Sequence, residues 1–143
     1  MCIRDSFKPY LYKSTNKGVS WNKISSNLPD RGSVYSFEED HIDKNLLFCG
    51  TEFGVFFSTN GGGHWVQIKK GVPTVAIRDL AIQKRENDLV LGTFGRGFYV
   101  LDNYSALREI GDGRSLKEAK IFPIRYALQY EESKPLGLSL IHI

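Results

Sequence analysis

The sequence is short of most features that announce a specialised environment. Across 143 residues the formal charge is only +3. Its basic residues are scattered, with Lys8, Lys23, Lys44, Lys69, Lys84 and Arg108 falling in separate stretches. Nucleic-acid binders gather Lys and Arg on one face, so no nucleic-acid partner is expected. No run approaches the roughly eighteen apolar residues of a membrane span, and no charged segment followed by an apolar one stands at the start as in a secretory signal. The two cysteines, Cys2 and Cys49, are too few for a multi-bridge framework. Cys49 lies in the apolar run LLFCG and reads as a small buried hydrophobe. His41 and His64 are not spaced with other metal ligands, so neither a metal nor a cofactor is expected. What is plentiful is aromatic residues, at 13%, and glycine, with 14 copies. A disordered chain would have fewer aromatics and a larger net charge.

The two ends stand apart from the rest. MCIRDS (Met1–Ser6) is encoded by ATGTGTATAAGAGACAG plus one base, and the reverse complement of that stretch, CTGTCTCTTATACACAT, encodes LSLIH and opens an Ile codon, matching Leu138–Ile143. Antisense readings of one short DNA element at opposite ends resemble the mosaic-end adapter of transposase-based sequencing libraries. Both hexapeptides are therefore set aside from fold reasoning, and the chain is expected to be a fragment of a longer protein.

Between them the sequence repeats, and a repeat decides the architecture before any local propensity does. YKSTNKGVSWNKI (Tyr12–Ile24) returns as FFSTNGGGHWVQI (Phe56–Ile68), with Ser14, Asn16, Gly18 and Trp21 mapping onto Ser58, Asn60, Gly62 and Trp65 at a constant offset of 44 residues. SVYSFEED (33–40) parallels AIRDLAIQ (76–83), NLLFCGTEFG (45–54) parallels DLVLGTFGRG (88–97), and GVFFSTN (54–60) has a worn third copy in GFYVLDN (97–103). Each unit holds four short apolar runs separated by Gly, Asn, Asp or Pro, which is how strands and tight turns read. Phe37, Leu80 and Ile82 mark inward positions on alternating strands. The runs are too short, aromatic and β-branched for helices. Four strands in roughly 43 residues is the period of a propeller blade. The expected fold is all-β, an incomplete β-propeller of about two and a half four-stranded blades. Residues 7–26 form a partial blade, 33–70 a full one, and 75–110 another with a degenerate last hairpin. Residues 111–137 form an irregular exit segment, in which Ser115 and Glu118 form a capping box for one helical turn.

The motif S-x-N-x-G-x-[S/H]-W, carried by Ser14, Asn16, Gly18, Ser20 and Trp21 and again by Ser58, Asn60, Gly62, His64 and Trp65, explains itself locally. An Asn side-chain oxygen accepts backbone N–H bonds within a hairpin turn. Gly18 and Gly62 supply positive φ, and each Trp starts the returning strand and lays its indole over a neighbouring sheet. This motif resembles the Asp-box, or BNR repeat, of sialidases, two-propeller xyloglucanases, sortilin-like receptors and photosystem assembly propellers. It departs from that pattern in having Asn for the usual Asp in both copies, and His64 where Ser or Thr is usual. The stretch GTFGRGFYVLDNYSALREI followed by IFPIRYA is similar to the end of the propeller in large bacterial sortilin-like proteins labelled glycosyl hydrolase. That resemblance implies that 75–110 lies near the last blade.

Function is fainter than fold. Sialidase chemistry needs an arginine cluster, a tyrosine nucleophile and an acid converging on the axis, and only Arg78, Arg96, Tyr99 and Asp79 are candidates. Arg78 and Asp79 are strand neighbours, so their side chains are expected on opposite faces. Glu38, Glu39, Asp40 and Asp43 read as a solvated strand end, and His41 and His64 as surface turns. Gly92, Gly95 and Gly97 are in the wrong order for a dinucleotide fingerprint, and Gly61–Gly63 lacks the Lys-Ser/Thr of a P-loop. Asn103-Tyr104-Ser105 matches a glycosylation sequon, which a bacterial origin would make irrelevant. No catalytic residue is assigned. Glu52 and Arg96, in equivalent loops between second and third strands, are the candidates for ligand contact. The expected parent is an extracellular or periplasmic scaffold binding protein or carbohydrate. The alternative is a propeller glycoside hydrolase whose catalytic acids lie in blades beyond this chain.

Overall fold

The computed structural model describes residues 7–111 and 121–126. The two terminal hexapeptides and the Ser115–Glu118 capping box lie outside these residues. Of the expected exit segment, only Gly111 and 121–126 are described, and the latter form no regular element.

Among the described residues, nine strands form three antiparallel sheets. The first is a hairpin of β1 (Tyr12–Lys13) and β2 (Asn22–Lys23). The second is a four-stranded meander of β3 (Val34–Glu39), β4 (Leu47–Thr51), β5 (Gly54–Ser58) and β6 (Val66–Ile68), in that spatial order. The third places β7 (Ile77–Gln83), β8 (Asp88–Thr93) and β9 (Phe98–Leu101) in the same order. Where a fourth strand would return, the chain winds into a 3-10 helix, Tyr104–Arg108. Asn103 enters it at φ 45°, and no Gly-x-x-Trp follows to form a tight hairpin.

The sheets stack face to face, and alternation along β4 and β5 of the second sheet divides their side chains between two cores. Leu46, Phe48 and Val55 pack with Ile77, Leu80, Leu89, Leu91 and Tyr104 between the second and third sheets. Leu47, Cys49 and Phe56 pack with Leu28 and Trp65 against Leu11 and Ile24 of the first hairpin. Every residue of β4 is buried, which explains the unbroken apolar run LLFCG: an inner strand with a neighbour on each side has no face left for polar residues. Burial also pushes the Cys49 thiol up to about 12. Gly50 fits within this strand where no larger residue would, because a Cβ there would collide with Ser36 Oγ and meet Ile77 Cγ2 at 2.9 Å.

Two inward expectations need correction. Leu80 is buried and Ile82 half-buried against the core, but Phe37 is 40% exposed. Its face looks across an open groove of about 250 Å³ bounded by Leu11, Ile24 and Leu47, where the two-strand hairpin is too narrow to cover the inner strand. Trp21, expected to lie over a neighbouring sheet, is 61% exposed, whereas Trp65 is 3% exposed. Trp65 donates its indole N–H to the Ile24 carbonyl, 41 residues earlier. A carbonyl at the same spacing before Trp21 has no counterpart in this chain.

Candidate ligand-binding face

The meanders give the stack two ends. At one end lie the S-x-N-x-G turns. Ser14 Oγ accepts the Gly18 N–H at 2.7 Å while Asn16 Oδ1 accepts the Ser20 N–H at 2.8 Å. In the second copy Ser58 Oγ accepts from Gly62 at 2.9 Å and Asn60 Oδ1 from His64 at 2.8 Å. Gly18 and Gly62 stand at φ 89° and 93°, so both turns use a left-handed residue at the same place. Serine's part as acceptor for the glycine N–H was missed in the sequence, where only the Asn oxygen was assigned that work. Asn27 binds both the N–H and the carbonyl of Trp65, at 2.7 and 2.8 Å. The second turn is thereby fastened to the first hairpin's exit.

The third blade has no Trp at this position and fastens itself differently. Tyr104 stacks edge-on against Phe48, with centroids 5.1 Å apart, and donates its hydroxyl to Asp40 Oδ1 at 2.6 Å. Arg108 forks onto the same carboxylate with two 2.8 Å bonds and also reaches Asn87 Oδ1. The Asp43 N–H bonds Asp40 Oδ2 at 2.8 Å. Asp40 was expected in a solvated strand end. It is instead buried, because the worn repeat supplies Tyr104 and Arg108 as its partners. Burial alone would raise its pKa, but Arg108, Tyr104 and the Asp43 N–H hold the carboxyl well below the usual carboxylate range. Burial and the bond to Asp40 push the Tyr104 phenol well above its usual value, and Asp40 raises Arg108. With its lone pairs taken by these donors, Asp40 is a clamp between blades rather than a base.

The opposite end is open. Here β3 and β7, the first strands of the second and third sheets, carry β-bulges at equivalent places: between Val34 and Ser36, and between Ile77 and Asp79. The extra residues are Tyr35 and Arg78. A bulge re-aims its side chain, and these two meet, with the Arg78 guanidinium carbon 4.1 Å from the Tyr35 ring centroid. Phe94, from the β8–β9 loop, lies on the same guanidinium at 5.1 Å. Phe94 is 67% exposed. Arg78, the bulged residue, and its neighbour Asp79 are both exposed.

Glu52 lies in the β4–β5 turn and Arg96 in the β8–β9 loop, both at this open end. The loops are anchored alike, Glu52 N–H to the Ser33 carbonyl and Phe94 N–H to the Ala76 carbonyl. Among the described residues no hydrogen bond or ion pair joins Arg78 to Arg96, Tyr99 or Asp79, the other residues weighed for catalysis. Tyr99 packs into the core between blades, and Asp79 accepts the N–H of Leu80. His64 sits within the second turn, and among the described residues no three His, Cys, Asp or Glu side chains are grouped to hold a metal. Among the described residues no helix is long and apolar enough to cross a membrane.

No family model matches the sequence, and no curated protein does. Among solved structures, the chain is similar to an ancestral GH74 enzyme at 26% identity, with a TM-score of 0.54. The match covers 64% of this chain and 11% of that enzyme. GH74 is a β-propeller family. Together with the three stacked antiparallel sheets, the likeness makes this chain an all-β partial propeller of glycosidase-like fold.

Proposed function

We propose that these blades belong to a secreted or envelope-located propeller that binds carbohydrate across the open end, and that they contribute binding rather than catalysis. The observation that carries this is the pairing of equivalent bulges: Tyr35 and Arg78 are turned out of their sheets to meet each other and Phe94. Exposed aromatic rings held by a rigid strand are suited to the apolar faces of sugar rings, and residues placed on a stable scaffold bind with little ordering cost. The S-x-N-x-G-x-[S/H]-W turns and the GTFGRGFYVLDN stretch support a kinship with Asp-box, sortilin-like propellers. Neither a nucleic acid nor a cofactor is part of this reading. The full chain, immobilised on a biosensor, is expected to retain soluble oligosaccharides and to lose them in Tyr35→Ala. Retention of proteins but of no glycan would overturn the assignment.

The likeness to an ancestral GH74 enzyme favours a second reading, in which the parent hydrolyses glycosidic bonds with acids outside this chain. The flanking gene decides between them. A carboxylate pair about 5–9.5 Å apart across the axial cleft, together with hydrolysis by the complete product, would establish the enzyme.

A further inference from the structure

The open end offers more than stacking rings. Arg78 lies against Tyr35 on one blade and Phe94 on the other, and among the described residues its guanidinium has no carboxylate or hydrogen-bond partner. Contact with the rings occupies the flat faces of a guanidinium and leaves its N–H edge for a planar anion. Charge at this end is also lopsided. The loops carry Arg31, Lys69, Lys70 and Arg96 against Asp30 and Glu52, while Arg78 and Asp79 offset each other on β7. Phe94 remains largely open beside the guanidinium.

We propose that Arg78 is the anchor of a subsite for carboxylate-bearing sugars, with a hexuronate carboxylate bridging its N–H edge and the sugar ring lying over Phe94. This rests on the carbohydrate-binding reading above and specifies its substrate class. An arginine already ordered by two rings loses little rotamer freedom on binding, and a charge-assisted bidentate contact carries geometric as well as electrostatic selectivity. Lysine at this position would keep the charge and lose both the flat stacking surface and the fork.

The test uses the immobilised full chain with two probes of equal length, an oligogalacturonate and a neutral cello-oligosaccharide. Arg78→Gln is expected to weaken oligogalacturonate about ten- to hundred-fold, as the loss of a hydrogen bond to a charged group implies, and to weaken the neutral probe at least several-fold less. Arg78→Lys is expected to lose about ten-fold, and Phe94→Ala about three-fold or more. Lys84→Gln removes the same charge at the far end, and a change of under about two-fold there shows that general attraction is not the cause. Each variant keeps the blue emission of Trp65 if folded. Equal binding of both probes, or equal weakening by Lys84→Gln and Arg78→Gln, would overturn the uronate subsite while leaving carbohydrate binding intact. A folded chain that retains neither probe overturns both.

Discussion

Asp40→Ala is the sharpest perturbation of the blade junction. It leaves the Arg108 fork, the Tyr104 hydroxyl and the N–H groups of Ile42 and Asp43 without their acceptor. Removing one partner of a buried ion pair costs about 3–5 kcal/mol. Arg108 retains 15% side-chain exposure, so water recovers part of its bonding and the expected loss is about 3 kcal/mol. With a urea dependence of about 1.5 kcal/mol/M, the unfolding midpoint falls by about 2 M. Arg108→Met leaves Asp40 its Tyr104 and backbone donors and is expected to lose less. The double variant is expected to lose less than the sum, because the two side chains share one network. Asp30→Ala, on an exposed loop, is the control. A midpoint shift for Asp40→Ala no larger than for Asp30→Ala would refute the clamp. Acidity supplies an independent check. The folded pKa of Asp40 lies below its unfolded value of about 3.9, so its contribution is complete above about pH 5 and is lost as pH falls through the folded value. Asp40→Asn therefore flattens the acid limb of the stability curve and leaves the neutral limb parallel to that of the parent chain.

The two tryptophans are expected to separate in acrylamide quenching: Trp21→Phe leaves a blue, protected emission from Trp65, and Trp65→Phe leaves a red, accessible one. Equal quenching of the two variants would contradict the indole bond to Ile24. Gly50→Ala is expected to lower stability by about 1–3 kcal/mol through overpacking against Ser36 and Ile77, read as a fall in melting temperature; an unchanged melt would refute the packing. In Cys2→Ser, Cys49 is expected to resist iodoacetamide at pH 8 until urea unfolds the chain, because the thiol is buried and its pKa is pushed up to about 12. Rapid native alkylation would contradict that burial.

The repeat made the blades legible, since strand lengths and turn glycines recur at one offset and local sequence decides both. Neighbours were harder to read. Phe37 and Leu80 occupy comparable strands and carry comparable patterns, yet one is exposed and the other buried, because burial depends on the width of the adjoining sheet. Trp21 and Trp65 diverge because Trp65 alone has an earlier hairpin in this chain whose carbonyl receives its indole N–H. The bulges at Tyr35 and Arg78 were invisible to strict alternation, although an apolar residue followed by two polar ones and then Leu80 was a sign that alternation breaks there. Asp40 looked solvated because its partners Tyr104 and Arg108 lie 64 and 68 residues away. The worn third copy hid them, having exchanged the Trp of the turn for a different fastener.

The clasp between Trp65 and the Ile24–Asn27 segment has a consequence for how such chains grow. Both halves of the joint are contained in a length close to one repeat: the donor at one turn, and the receptor just past the turn before it. Duplicating that stretch of gene copies plug and socket together, so a new unit arrives already able to dock on its predecessor. Nearest-neighbour joints of this kind let an array lengthen or shorten by whole units without redesigning the rest. Variation in one socket is answerable only to the next plug. Where the Trp was lost, Tyr104, Arg108 and Asp40 form a joint of another pattern, which a neighbouring copy of the first kind has no means to engage.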